Sequence, residues 1–117
     1  MTNFLGEGSF LTTRRHNKTY PLKACLASEI NYIDTAELYQ LYLLYPELKN
    51  IYEGLLGTYD ECTAFRQLVL ENPSATARIL LFRARFAHLT PFLHKRDIAN
   101  YLQLNYSHYL HVNRGLG

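Results

Sequence analysis

Long hydrophobic runs are missing from this chain. Its longest apolar stretches are about four residues, far short of the ~20 that a membrane-spanning helix needs. Cysteine is scarce. Cys25 and Cys62 are too few for a disulfide scaffold, and neither has a metal-type partner at short spacing. The N-terminal residues lack the charged segment followed by an apolar one that marks a secretory signal. Together these absences point to a cytoplasmic chain that stays off the membrane. Hydrophobic residues nevertheless make up 48% of the 117 residues, which excludes disorder and collagen-like repeats. The length suits one domain, or two small modules that share a helix.

Acidic residues are nearly absent from one end. Residues 1–73 carry nine acidic and six basic side chains, a net −3. Residues 74–117 carry six basic side chains against Asp97 alone, a net +5, together with four of the five histidines. The overall charge of +2 hides this split. An asymmetry of this kind suggests that the basic end meets a polyanion, although a solvated basic face would look the same.

Residues 1–34 read as strands and turns, with Thr12, Thr13, Thr19 and Tyr20 suited to strands and Gly6, Gly8, Asn17 and Pro21 as punctuation. The alternation in Leu22–Ile33 predicts two short strands around a turn. Asp34 or Thr35 is placed to cap a short helix over Ala36–Tyr45. Pro46 starts a longer helical pattern in which Leu48, Tyr52, Leu55, Tyr59, Cys62, Phe65 and Val69 form an apolar stripe. The spacing approaches a heptad seam, so the stripe fits either a core face or a dimer contact. Gly54 and Gly57 lie inside this helix and weaken it, so packing must support it. Asn72-Pro73-Ser74 breaks the pattern, and a new helix is expected over Ala75–Leu89 with Ser74 as its cap. Its apolar face is Ile79, Phe82, Phe86 and Leu89, with Arg78, Arg83 and Arg85 on the other sides.

The C-terminal segment KRDIANYLQLNYSHYLHVNRGLG fits a helix-turn-helix. That motif needs apolar residues at fixed offsets and a small residue where its two helices cross. Ile98, Leu102, Leu104, Tyr109 and Val112 meet the first requirement and Ala99 the second. Gln103 stands where glycine is common, so it must adopt a left-handed conformation at roughly 1 kcal/mol, or the turn must shift. Asn105 is placed to cap the second helix. That helix would expose Tyr106, Ser107, His108, His111 and Arg114, a polar and mildly cationic face able to enter a major groove.

Four segments in order resemble the bacterial Crp/Fnr regulators. Phe4-Leu5-Gly6-Glu7 is similar to that family's FGE motif, and LKACLASEINYIDTAELYQLY to its last roll strands and small helix. YPELKNIYEGLL is similar to the start of its long dimer helix, and HKRDIANYLQLNYSHYL to its helix-turn-helix. The resemblance implies an α+β chain: a partial antiparallel β-roll over 1–45, a dimerisation helix over 46–71 and a helix-turn-helix module over 72–117. Because the family's roll begins before its FGE motif, Met1 would fall in mid-domain. The implied partners are double-stranded DNA, a second copy of the chain and RNA polymerase. The implied DNA contacts are Lys95 and Arg96 on phosphates, with help from Arg83 and Arg85, and Tyr106, Ser107, His111 and Arg114 on base edges. The family's nucleotide site would map to Gly6, Glu7, Lys18 and Thr19. Lys18 lacks the bidentate fork of the arginine usual there, so cyclic AMP is not expected to bind.

No enzyme, cofactor or metal is expected. His108 and His111 have no nearby carboxylate or cysteine, Glu7 forms no acid–base pair with His16 or Lys18, and Gly6-Glu7-Gly8 is not set between a strand and a helix. Cys62 reads as a small buried hydrophobe. The rival reading is a ligand-sensing or protein-interaction module, or a fragment, whose helix-turn-helix no longer binds DNA. Gln103, the bulky Tyr106 and Tyr109, and a single arginine on the second helix favour it.

Overall fold

A computed structural model describes residues 4–6 and 23–117 of the chain. The described residues form five α-helices, α1 (Thr35–Leu44), α2 (Pro46–Glu71), α3 (Ala75–Arg85), α4 (Lys95–Tyr101) and α5 (Tyr106–Gly115), with a 3-10 turn over Thr90–Phe92.

The α+β architecture expected from the sequence is therefore overturned: among the described residues there is no strand and no sheet. Residues 23–34, where two strands were expected, are irregular. A sheet face needs a covering layer, and two short strands alone are marginal in water. Here Leu26, Ile30, Tyr32 and Ile33 are all exposed, so they bury no such face. The threonines and tyrosine of residues 12–20 lie outside the described residues.

The helix starts follow their local chemistry. Pro46 occupies the first turn of α2, where its missing N–H costs nothing. The Ser74 hydroxyl accepts from the Ala77 N–H at 3.2 Å and caps α3. This helix stops at Arg85 rather than reaching Leu89. The Thr90 hydroxyl and N–H both donate to the Phe86 carbonyl, at 2.8 and 2.9 Å, and turn the chain there.

The chain divides into two compact units, one over Phe10–Glu61 and the other over Met1–Ser9 with Cys62–Gly117. In the first, Tyr42 packs its ring against Tyr39 and Tyr52, with centroids 5.9 and 5.6 Å apart. Ile51 and Leu55 of α2 remain exposed. A Cβ at Gly54 or Gly57 would meet no neighbouring atom within 4 Å. Gly54→Ala and Gly57→Ala should each stabilise the chain by up to about 1 kcal/mol, read as a higher thermal midpoint. A lower midpoint would mean that another surface packs on these glycines in solution.

The second unit holds the core. Val69, Ile79, Phe82, Phe86, Ile98, Ala99, Tyr101, Leu102 and Tyr109 are buried, and Phe4 is buried with them. Phe82, Phe86, Tyr101 and Phe4 form an aromatic cluster whose centroids lie 4.9 to 5.9 Å apart. Most of these pairs meet edge-on, the favoured aromatic geometry. The stripe on α2 thus splits, with Phe65 and Val69 entering this core and Leu55 staying open.

Burial pushes the Tyr101 phenol up to about 12, against a weaker opposing pull from Arg66. Below pH 10 this has no effect on stability, because folded and unfolded chains are both protonated. Between about 10 and 12 only the unfolded chain loses the proton, so stability should fall as pH rises. Denaturant midpoints at pH 8 and pH 11 should differ, and Tyr101→Phe should remove much of the difference.

Candidate nucleic-acid interface

Helices α3, α4 and α5 form a tri-helical unit in which α5 packs against both others. The turn between α4 and α5 takes the first of the two routes open to it. Gln103 sits at φ +52°, the left-handed region. Around it the Leu104 N–H donates to the Ala99 carbonyl at 2.9 Å and the Gln103 N–H to the Asn100 carbonyl at 3.1 Å. That bond pair is a Schellman closure, usually built on glycine. Gln103→Gly should therefore raise stability by about 1 kcal/mol, measured by urea unfolding. An unchanged midpoint would mean that the amide side chain repays its backbone strain.

Asn105 then starts α5. Its Oδ1 accepts from the Ser107 and His108 N–H groups at 3.0 and 3.4 Å. All six positions of the helix-turn-helix pattern lie in the core or against it: Ile98, Ala99, Leu102 and Tyr109 are buried, and Leu104 and Val112 pack on them. With Tyr109 pointing inward, residues two and five away point outward at ~100° per residue. Ser107, His111 and Arg114 accordingly share one exposed face within about 60° of arc, with His108 exposed at its side.

Tyr106 departs from this set. It is half-buried against the core, and the Arg96 guanidinium lies over its ring, 4.5 Å from the centroid. This cation–π contact holds Arg96 at the first turn of α5. Lys95, one residue earlier, faces another way. It lines a cleft of about 330 Å³ with Ile79, Phe82, Arg83, Tyr109 and Asn113.

Two further arginines are engaged within the unit. Arg83 donates to the Asn113 Oδ1 at 2.6 Å, the Asn113 carbonyl at 3.0 Å and the Gly117 carbonyl at 3.2 Å. It thereby clamps the C-terminal end of α5, where a cation also suits the helix dipole. Arg85 sits over the Phe65 ring at 5.3 Å. Sequence reasoning offered both to phosphates and missed that Arg66 and Arg78 also bind backbone carbonyls. The available signal was placement, because Arg78 and Arg83 each adjoin a core residue, Ile79 and Phe82.

The chain matches no family model, no curated protein and no solved structure. Of the positions assigned to a nucleotide site, Glu7, Lys18 and Thr19 lie outside the described residues. Gly6 lies beside the side chains of His88 and Leu89, where a Cβ would make ordinary contacts at 3.6 Å or more. Among the described residues no cluster of three His, Cys, Asp or Glu side chains could hold a metal ion, and no helix is long and apolar enough to cross a membrane.

Proposed function

We propose that this chain is a sequence-specific DNA-binding regulator of the Crp/Fnr kind, non-catalytic, acting in the cytoplasm. The observation that carries the reading is the outward face of Ser107, His111 and Arg114 on a helix whose opposite face is locked into a core. A rigid helix presenting side chains with several donors suits the major groove. Arg114 would take guanine O6 and N7, while Ser107 and His111 contact neighbouring base edges. Arg96, steadied on Tyr106, would meet a phosphate at the start of α5, and Lys95 would meet one separately from its own side of α4.

The proposal includes a homodimer. In the first unit Leu55 and Ile51 are exposed on α2, and pairing two copies along Leu48, Tyr52, Leu55, Tyr59 and Cys62 would cover them. Two recognition helices would then read half-sites about 34 Å apart. RNA polymerase is the further partner of this reading.

Selection from random duplex DNA with the purified chain is the test. Enrichment of a two-fold symmetric motif supports the proposal. Recovery without any motif, with binding lost uniformly at physiological salt, would leave only a basic surface. The interaction-module reading would then stand, favoured by the inward turn of Tyr106.

A further inference from the structure

The cleft of about 330 Å³ that Lys95 lines is built from α3, the 3-10 turn, α4 and α5, all within the second unit. That volume lies at the lower end of the ~300–1,000 Å³ typical of small-molecule sites. Its apolar lining comes from Ile79, Phe82, Leu93 and Ile98. Ile79, Phe82 and Ile98 belong to the buried core, so this wall is held in place from behind. The charged lining is of one sign: Lys95 and Arg83 contribute to it, and no acidic side chain does. Arg83 is half-buried and tied to Asn113 and Gly117 at the end of α5, so its positive charge stays at a fixed place. Lys95 is exposed, which puts its ammonium at the mouth.

Two donors on this lining are unpaired. The Lys95 ammonium makes no hydrogen bond or ion pair among the described residues. Tyr109 is only 3% exposed, and its hydroxyl likewise has no hydrogen-bond partner among them. A void left by imperfect packing is apolar throughout. This one joins an apolar wall to donors and positive charge that lack a counterpart.

We propose that the cleft binds a small monocarboxylate with an apolar body, of the medium-chain fatty acid type. The hydrocarbon lies against Ile79, Phe82 and Ile98, where it leaves water. The carboxylate stays at the mouth and takes a charge-assisted hydrogen bond from Lys95, in the positive field of Arg83. The Tyr109 hydroxyl is a second donor on the same lining. One negative charge suits one mobile ammonium, whereas a phosphate has more charge and more oxygens to satisfy. None of Ser107, His111 and Arg114 lines the cleft, so occupancy does not depend on whether the chain reads DNA.

The full isotope-labelled chain is titrated at neutral pH with octanoate, acetate, octylammonium and octanol, and backbone amide shifts are followed by NMR. Octanoate should saturate with a Kd of about 1 mM or below, moving amides of α3, α4 and α5 around the cleft. Acetate lacks the apolar body and octylammonium reverses the charge, so each should bind at least about tenfold more weakly. Lys95→Met keeps an unbranched stem at an exposed position and removes the charge. It should weaken octanoate about fivefold, the upper end for an exposed ion pair, and leave octanol unchanged. Octylammonium binding as tightly as octanoate would reduce the cleft to an apolar surface and overturn the proposal. Failure of octanoate to saturate below about 10 mM overturns it too, as do shifts confined to the first unit. An octanoate affinity that Lys95→Met leaves unchanged has the same consequence.

Discussion

Replacing Arg78 with alanine should destabilise the second unit by about 3–4 kcal/mol, more than any other single loss of a charge. The guanidinium donates to three carbonyls: Asn72 at 2.6 Å, Leu102 at 3.0 Å and Leu70 at 3.1 Å. Leu70 lies in the last turn of α2 and Leu102 is the C-cap of α4. Carbonyls at helix C-termini have no partner within their own helix, so one side chain on α3 closes the ends of two others. Its charge also suits the negative end of both helix dipoles. Hydrogen bonds from a charged donor contribute roughly 1.5–3 kcal/mol each. The site is partly buried, so water would replace some of them and the sum is discounted. Arg78→Lys should recover less than half, because an ammonium cannot span three carbonyls in a planar fork. Urea unfolding followed by far-UV circular dichroism measures all three proteins, with Lys95→Ala as a surface comparison expected within about 0.5 kcal/mol of the parent. A cost below about 1 kcal/mol for Arg78→Ala would show that the contacts are replaced freely by water.

The helical part of this architecture was legible because its signals are local. Pro46, Ser74 and Asn105 mark helix starts by what each does for unpaired N–H groups, and the structure starts α2, α3 and α5 at those points. The offsets from Ile98 to Val112 encode a crossing of two helices, so they also located the core. Gln103 was legible as a conflict between residue and conformation, and it does sit at positive φ. The strands were misread because alternation over Leu22–Ile33 describes a possible face without saying whether anything covers it. A sheet depends on partners distant in sequence, whereas a cap does not. The intramolecular contacts of the arginines were not legible for a related reason. Sequence counts Arg83 as a charge, but only packing brings it to the carbonyls at the end of α5. Tyr106 had the right spacing to be exposed, and Arg96 with the core draws it inward instead. Spacing makes Cys62 a small buried hydrophobe, whereas it is half-buried and accepts from Arg85, which comes from a part of the chain that spacing cannot connect to it.

Removing Arg114 should separate base reading from charge. On the preferred duplex, Arg114→Ala should weaken binding by about 1–3 kcal/mol, roughly 5- to 150-fold, and relax the choice at one base pair. On unrelated duplexes the same variant should lose only the contribution of one cation. Arg96→Ala should behave differently, because its guanidinium is held at the first turn of α5 rather than on the Ser107, His111 and Arg114 face. It should weaken binding about equally on all sequences and reduce the slope of log affinity against log salt by about one. Tyr106→Phe keeps a ring beneath Arg96 and should match the parent. Tyr106→Ala removes that support and should approach Arg96→Ala. Fluorescence anisotropy with the selected duplex and a scrambled one, at several salt concentrations, reads all four variants. If Arg114→Ala weakens both duplexes alike, α5 lies along the backbone instead of in the groove. The outward face of α5 would then supply affinity but no sequence choice.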